Sequence, residues 1–166
     1  MKAHPPGLLV AVALATITTP AIAEVVLQPL AGTGRQGPSL VANDGFEESD
    51  GALPAGWRSN LSPGVMIDRR CTQSGGASIR FQKSASDKGL WLSRNVEINQ
   101  KTAAPLLLSG WSKAEGVEDR PGSDYSVWAD LQYVDGTSLY GQRALFDPST
   151  HDWQRSERAS GGVTVI

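Results

Sequence analysis

Only one cysteine, Cys71, stands in the 166-residue chain, so no disulfide forms within it. No histidine lies near it in sequence to activate the thiol, which reads as a small, partly buried side chain rather than a nucleophile. Fifteen basic residues face seventeen acidic ones with no basic block among them, so the electrostatic footprint of a nucleic-acid binder is missing. No apolar run reaches the roughly 20 residues that a membrane-spanning helix requires. The Gly-x-Ser-x-Gly elbow of many hydrolases is absent as well. Sustained 3.6-residue periodicity with caps at both ends is also lacking, which excludes a helical domain.

What is present begins with a leader. Residues 1–23 carry Lys2 and His4, then the apolar run "LLVAVALATI", then "AIA" at Ala21 to Ala23. A charged start, a short apolar stretch and a small-x-small end compose a secretory signal peptide. Export is therefore expected, with cleavage after Ala23 and a secreted, periplasmic or cell-surface destination. Residues 24–38 ("EVVLQPLAGTGRQGP") turn rich in Gly and Pro and read as a lead-in or linker. Residues 39–166 are long enough for one domain with a core of its own.

That domain alternates with a period of two. In "ASIRFQ", Ile79 and Phe81 face one way and Arg80 and Gln82 the other. In "GLWLSRNVEI", Leu90, Leu92, Val96 and Ile98 share a side that Trp91, Ser93, Asn95 and Glu97 do not. In "DYSVWADLQYV", Tyr125, Val127, Ala129, Leu131 and Tyr133 oppose Ser126, Trp128, Asp130, Gln132 and Val134. These are half-buried strands. "APLLLSGWS" and "SLYGQRALF" read as further strands, and "VDGTS" between two of them carries the Asp-Gly signal of a hairpin. The fold expected is an all-β antiparallel sandwich.

Several stretches together resemble the CenC-like carbohydrate-binding modules. They are the opening "LVANDGFEESDGALPAGW", then "SGGASIRF", "PLLLSGWSKAEGV", "DYSVWADLQYVDGTSLYG" and "FDPSTHDWQRSE", and they span residues 39–157. The resemblance implies a galactose-binding-like jelly roll that binds polysaccharide or oligosaccharide without catalysis. Such a module commonly works beside a glycan-degrading enzyme. The likeness fails at the end of the chain. The resembled modules close with a Phe-x-Asp-Asp-Val-like strand, whereas this sequence has "ASGGVTVI", so the domain is expected to lack its closing strand.

Two groups of residues are candidates for function. The acidic stretch "NDGFEESDG" offers Asn43, Asp44, Glu47, Glu48 and Asp50, oxygen donors of the kind calcium takes. The resemblance implies a structural calcium with Glu47 as ligand, and Asp50 is the second candidate. The alternative is an acidic surface turn holding no ion. For sugar binding, Trp128 shares its strand face with Asp130 and Gln132, and Arg80 and Gln82 form the matching polar face of their own strand. If those strands are neighbours, they form an aromatic platform ringed by hydrogen-bonding groups, flanked by Trp91 and Tyr140. Trp57 and Trp111 read as core.

An enzyme has little to draw on. His151 precedes Asp152 directly, and adjacent strand residues point apart; His151 reads as a turn residue. Glu115, Glu118, Asp119, Asp130, Asp147 and Asp152 offer no evident pair. The runner-up functions are a structural or adhesion domain with a protein partner, and a small polysaccharide hydrolase or lyase using His151 and a carboxylate.

Overall fold

The structure is a computed structural model. It describes residues 8–14, 21–29, 38–60, 64–84, 89–98, 100, 104–117 and 125–160. Glu118, Asp119 and the terminal "GVTVI" lie outside these residues, as do parts of the leader and lead-in. Every described element is a strand: β1 (Leu8–Leu14), β2 (Ala21–Pro29), β3 (Ser49–Asp50), β4 (Leu53–Pro54), β5 (Arg58–Ser59), β6 (Val65–Asp68), β7 (Ser78–Phe81), β8 (Leu90–Val96), β9 (Leu106–Ala114), β10 (Ser126–Gln132), β11 (Ser138–Leu145) and β12 (His151–Ser160).

The strands form two five-stranded antiparallel sheets, β11-β10-β1-β8-β5 and β12-β9-β2-β7-β6, with a small β3-β4 hairpin beside them. The centre of each sheet comes from the N-terminal residues. β1 sits between β10 and β8, and β2 between β9 and β7. Leu8–Leu14 of the leader's apolar run are thus extended and paired here. β2 crosses the Ala23/Glu24 boundary and continues to Pro29, inside the segment read as a lead-in.

Both sheets feed one core. Ile79, Phe81, Leu106 and Leu108 from the second sheet join Leu90, Leu92, Val96, Val127 and Ala129 from the first. The alternation of β7, β8 and β10 is the cause, since every second side chain of these strands enters that core, Arg94 of β8 excepted. Tyr125 is buried just ahead of β10, while Leu131 packs against the cluster from its edge. The β10–β11 hairpin turns where Asp-Gly stands. Gly136 has φ 87°, and Asp135 Oδ1 accepts from the Thr137 N–H at 2.9 Å and its hydroxyl at 2.7 Å.

The acidic stretch is ordered around one side chain. Asn43 Nδ2 donates to the carbonyls of Glu48 (2.8 Å) and Ala55 (3.2 Å), and its Oδ1 accepts the Glu48 N–H at 3.0 Å. Its carbonyl accepts the indole N–H of Trp57 at 3.1 Å, and Trp57 is core as expected. Asn43 holds φ 53°, a left-handed conformation that Asn tolerates better than most residues. Phe46 follows with φ 62° and packs edge-on to Trp57, ring centroids 5.2 Å apart.

Candidate functional site

The pairing register decides which residues share a surface, because directly opposed residues point to the same side of a sheet. On the outer side of the first sheet, Trp128 lies opposite Arg143 of β11 and, across Ala11 of β1, in line with Ser93 of β8. The neighbouring rows place Asp130 across Leu9 from Asn95, and Ser126 across Ala13 from Trp91. Gln132 stands opposite Ser138. Alternation from Ser138 puts Tyr140 on this side too, 71% exposed. Five of the expected sugar-contacting residues, Trp91, Trp128, Asp130, Gln132 and Tyr140, therefore lie on one sheet face.

Arg80 and Gln82 do not join them, which corrects the neighbour arrangement expected above. Arg80 belongs to β7, in the other sheet, opposite Met66 of β6. Gln82 follows the end of that strand, its N–H bonded to the Gly64 carbonyl at 2.8 Å. Alternation tells which residues face outward but not which sheet a strand joins. Trp111 differs from expectation as well. It is half-buried on the second sheet, opposite Arg155 of β12.

Trp128 is held in place by its neighbours. Its indole N–H donates to Asp130 Oδ1 at 2.7 Å, and the same oxygen accepts the Gly141 N–H at 2.7 Å. The Arg143 guanidinium carbon lies 4.8 Å from the ring centroid, a cation–π distance. The guanidinium thus lies against one face of the ring. Sequence reasoning misses Arg143, because counting back from the Asp-Gly turn in the Gln132–Ser138 register sets Gln142, not Arg143, opposite Trp128. A bulge between Ala129 and Leu131 shifts the register, and nothing in the residues announces that shift. Arg58 of β5 adds a donor at the far edge, bonded to Asn95 Oδ1 at 3.0 Å.

The expected metal residues occupy different settings. Glu47 Oε1 accepts the Gly76 N–H at 2.7 Å. The carboxylate also lies so close to Gly75, which has φ 62°, that a Cβ there would collide with it. Asp50 lies in the exposed β3 strand. Among the described residues, no three His, Cys, Asp or Glu side chains converge as a metal would require. Asn43 supplies the loop's internal order.

His151 opens β12 rather than sitting in a turn. Its Nδ1 lies 2.7 Å from the Asp152 carbonyl, which can only accept, so Nδ1 carries a proton. In the neutral ring Nε2 then accepts the Tyr125 hydroxyl at 3.3 Å, and Tyr125 in turn accepts from Ser112. Ser112 and Tyr125 are 0% and 1% exposed, so this chain of bonds runs inward from the half-buried His151. Burial pushes the Tyr125 hydroxyl well above its ordinary pKa, against the smaller opposing effect of the Ser112 bond. The Asp152 carboxylate turns instead to Lys113, 2.9 Å away, so the adjacent His and Asp side chains do not act as a couple.

No family model, curated protein or solved structure matches the chain.

Proposed function

We propose that the chain is a non-catalytic carbohydrate-binding module of jelly-roll type, and that its glycan lies on the outer face of the first sheet. The observation that carries the reading is the common face of Trp91 and Trp128, bordered by Asn95, Asp130, Gln132 and Tyr140. Sugars need both kinds of group. The C–H face of a pyranose stacks on an aromatic ring, and its hydroxyls bond to amides, carboxylates and guanidinium groups. Two strand spacings separate β8 from β10, about 10 Å, which favours an extended glycan over a single ring. Asp130 and Arg143 fix Trp128 before any ligand arrives, so little side-chain entropy is lost on binding.

Titration of the full chain with a panel of neutral soluble polysaccharides tests this. Trp128→Ala and Trp91→Ala should each weaken binding to the retained glycan by about tenfold, the equivalent of ~1.4 kcal/mol. Binding that survives both substitutions would remove the site from this face. Binding to no glycan at all would favour a structural or adhesion domain.

A further inference from the structure

A cleft of about 470 Å³ opens on the other sheet, between β6, β7 and the β3–β4 hairpin. Its wall holds Arg69, Arg70 and Arg80 against one carboxylate, Asp68. We propose that this cleft binds the carboxylate of a sugar acid, such as a uronic acid unit of a polysaccharide. It is a second site, distant in topology from the Trp128 face, and it rests on the glycan reading only in choosing a saccharide to carry the acid.

The hydrogen bonds around Asp68 are the reason. Its Oδ1 accepts the backbone N–H of Arg70 at 2.7 Å and of Cys71 at 3.3 Å, and Oδ2 stands 3.5 Å from Arg80 Nε. Asp68 is thus committed to shaping the turn and orienting Arg80. Arg80 receives little in return. Its Nε makes no hydrogen bond among the described residues, and Nη2 has only the soft Met66 sulfur at 3.4 Å. A guanidinium offers five donors; with Nε buried beside Asp68, it is the Nη groups of this 36%-exposed side chain that a ligand would meet.

Arg69 reaches the carbonyls of Gly76 and Glu47 only at 3.5 and 3.4 Å, and Arg70 is exposed at the rim. A planar carboxylate matches the guanidinium fork with two parallel bonds. Met66, Ile67 and Ala52 line the same cleft and give a sugar ring an apolar wall. Three cations against one anion suit a singly charged group, while Asp68 disfavours a doubly charged phosphate.

Calorimetric titration of the full chain with oligogalacturonate, a neutral galacto-oligosaccharide, a sulfated oligosaccharide and inorganic phosphate tests the proposal. The oligogalacturonate should bind and weaken as salt rises, with the sulfated sugar and phosphate binding at least about tenfold less tightly. Arg70→Gln should reduce uronate affinity by about tenfold, and Arg80→Lys, which keeps the charge but not the fork, should do the same. Unfolding midpoints within a few degrees of the parent would show that both variants remain folded; Arg70→Gln, at an exposed position, provides the reading if Arg80→Lys does not fold. Trp128→Ala should leave uronate binding intact. Absence of uronate binding, or affinity unchanged in both arginine variants, would overturn the proposal. Equal affinity for sulfate or phosphate would overturn it too, and loss under Trp128→Ala would assign the uronate to the first sheet.

Discussion

The strands from residues 49–96 and those from residues 106–160 are built differently. In the first group β3 to β5 have two residues each, β6 and β7 four, and only β8 reaches seven, whereas β9 to β12 run from seven to ten. The first group depends on side chains that bond to backbone: Asn43 for the acidic loop, Asp68 for the turn after β6, and Arg94, whose Nη1 donates to the Ala55 carbonyl at 3.0 Å. The second group rests on long ladders. Among the described residues no strand of one group pairs with a strand of the other; the strand-to-strand joints between them all pass through β1 and β2. A segment read as a removable leader therefore supplies much of what connects the halves.

Removing residues 1–23 is the strongest way to break this arrangement. It takes all of β1 and the β2–β7 pairing made by Ala21, Ile22 and Ala23, while Glu24–Pro29 can stay on β9. The chain from Glu24 onward should lose its single cooperative thermal transition or unfold at a much lower midpoint. A synthetic peptide of residues 8–14, added in excess, should restore part of it by binding the folded form. An unshifted midpoint without the peptide would show that the shared core alone holds the halves together, and that cleavage of the leader leaves the domain whole.

Within the first group, Asn43→Ala should cost about 2–3 kcal/mol, from the lost side-chain bonds to the half-buried Ala55 carbonyl and the exposed Glu48 backbone and from the left-handed φ imposed on alanine. Asn43→Gly should cost less, because glycine accepts that conformation. Denaturant unfolding of both variants measures the difference. Calcium chelation should move the unfolding midpoint less than Asn43→Ala does. A larger effect of chelation would place an ion in the acidic loop.

How far the fold is legible in the sequence follows the same division. The alternation of β7, β8 and β10 marks Ile79, Phe81, Leu90, Leu92 and Val127 as core, because burial on one face leaves a period of two in the residues. Asp135-Gly136 marks the hairpin, since the turn's chemistry is local. The two sheets cannot be assigned from alternation, which is the same whichever partner a strand takes, and so it groups Arg80 and Gln82 with Trp128. The central role of residues 8–29 is hidden by composition. An apolar run that fits a leader carries no mark of the strands beside it. Asn43 is visible only as one oxygen donor among several, because its work depends on Ala55 and Trp57 folding back onto it.

Within the second group, Tyr125→Phe should cost about 1–3 kcal/mol by leaving the Ser112 hydroxyl buried with one partner fewer. The pH dependence separates this from simple loss of packing. Burial raises the Tyr125 pKa, so as pH climbs past the ordinary tyrosine value near 10 the unfolded chain releases a proton that the folded chain keeps. The stabilisation is complete below that pH and is lost on the alkaline side. Tyr125→Phe should therefore show a shallower decline in unfolding free energy above about pH 10. Parallel alkaline limbs would mean that the buried hydroxyl is not what titrates.

The smallest effect belongs to the exposed joint between β9 and β12. The Asp152 carboxyl is held below its usual pKa by the hydrogen bond from Lys113, then by the Trp153 N–H and the Lys113 charge. A depressed carboxylate stabilises the fold above its unfolded pKa near 4, and the contribution fades as pH falls through the lower folded value. Both groups lie in water, where such pairs are screened and the side chains give up entropy to meet. Asp152→Asn should therefore leave the unfolding midpoint at pH 7 unchanged within error and slightly flatten its acid dependence. His151 should keep its bond to the Asp152 backbone carbonyl, which the substitution retains. A large loss of stability would show that the ladder of β12 depends on this pair, and that the long-strand half also leans on side chains at its edge.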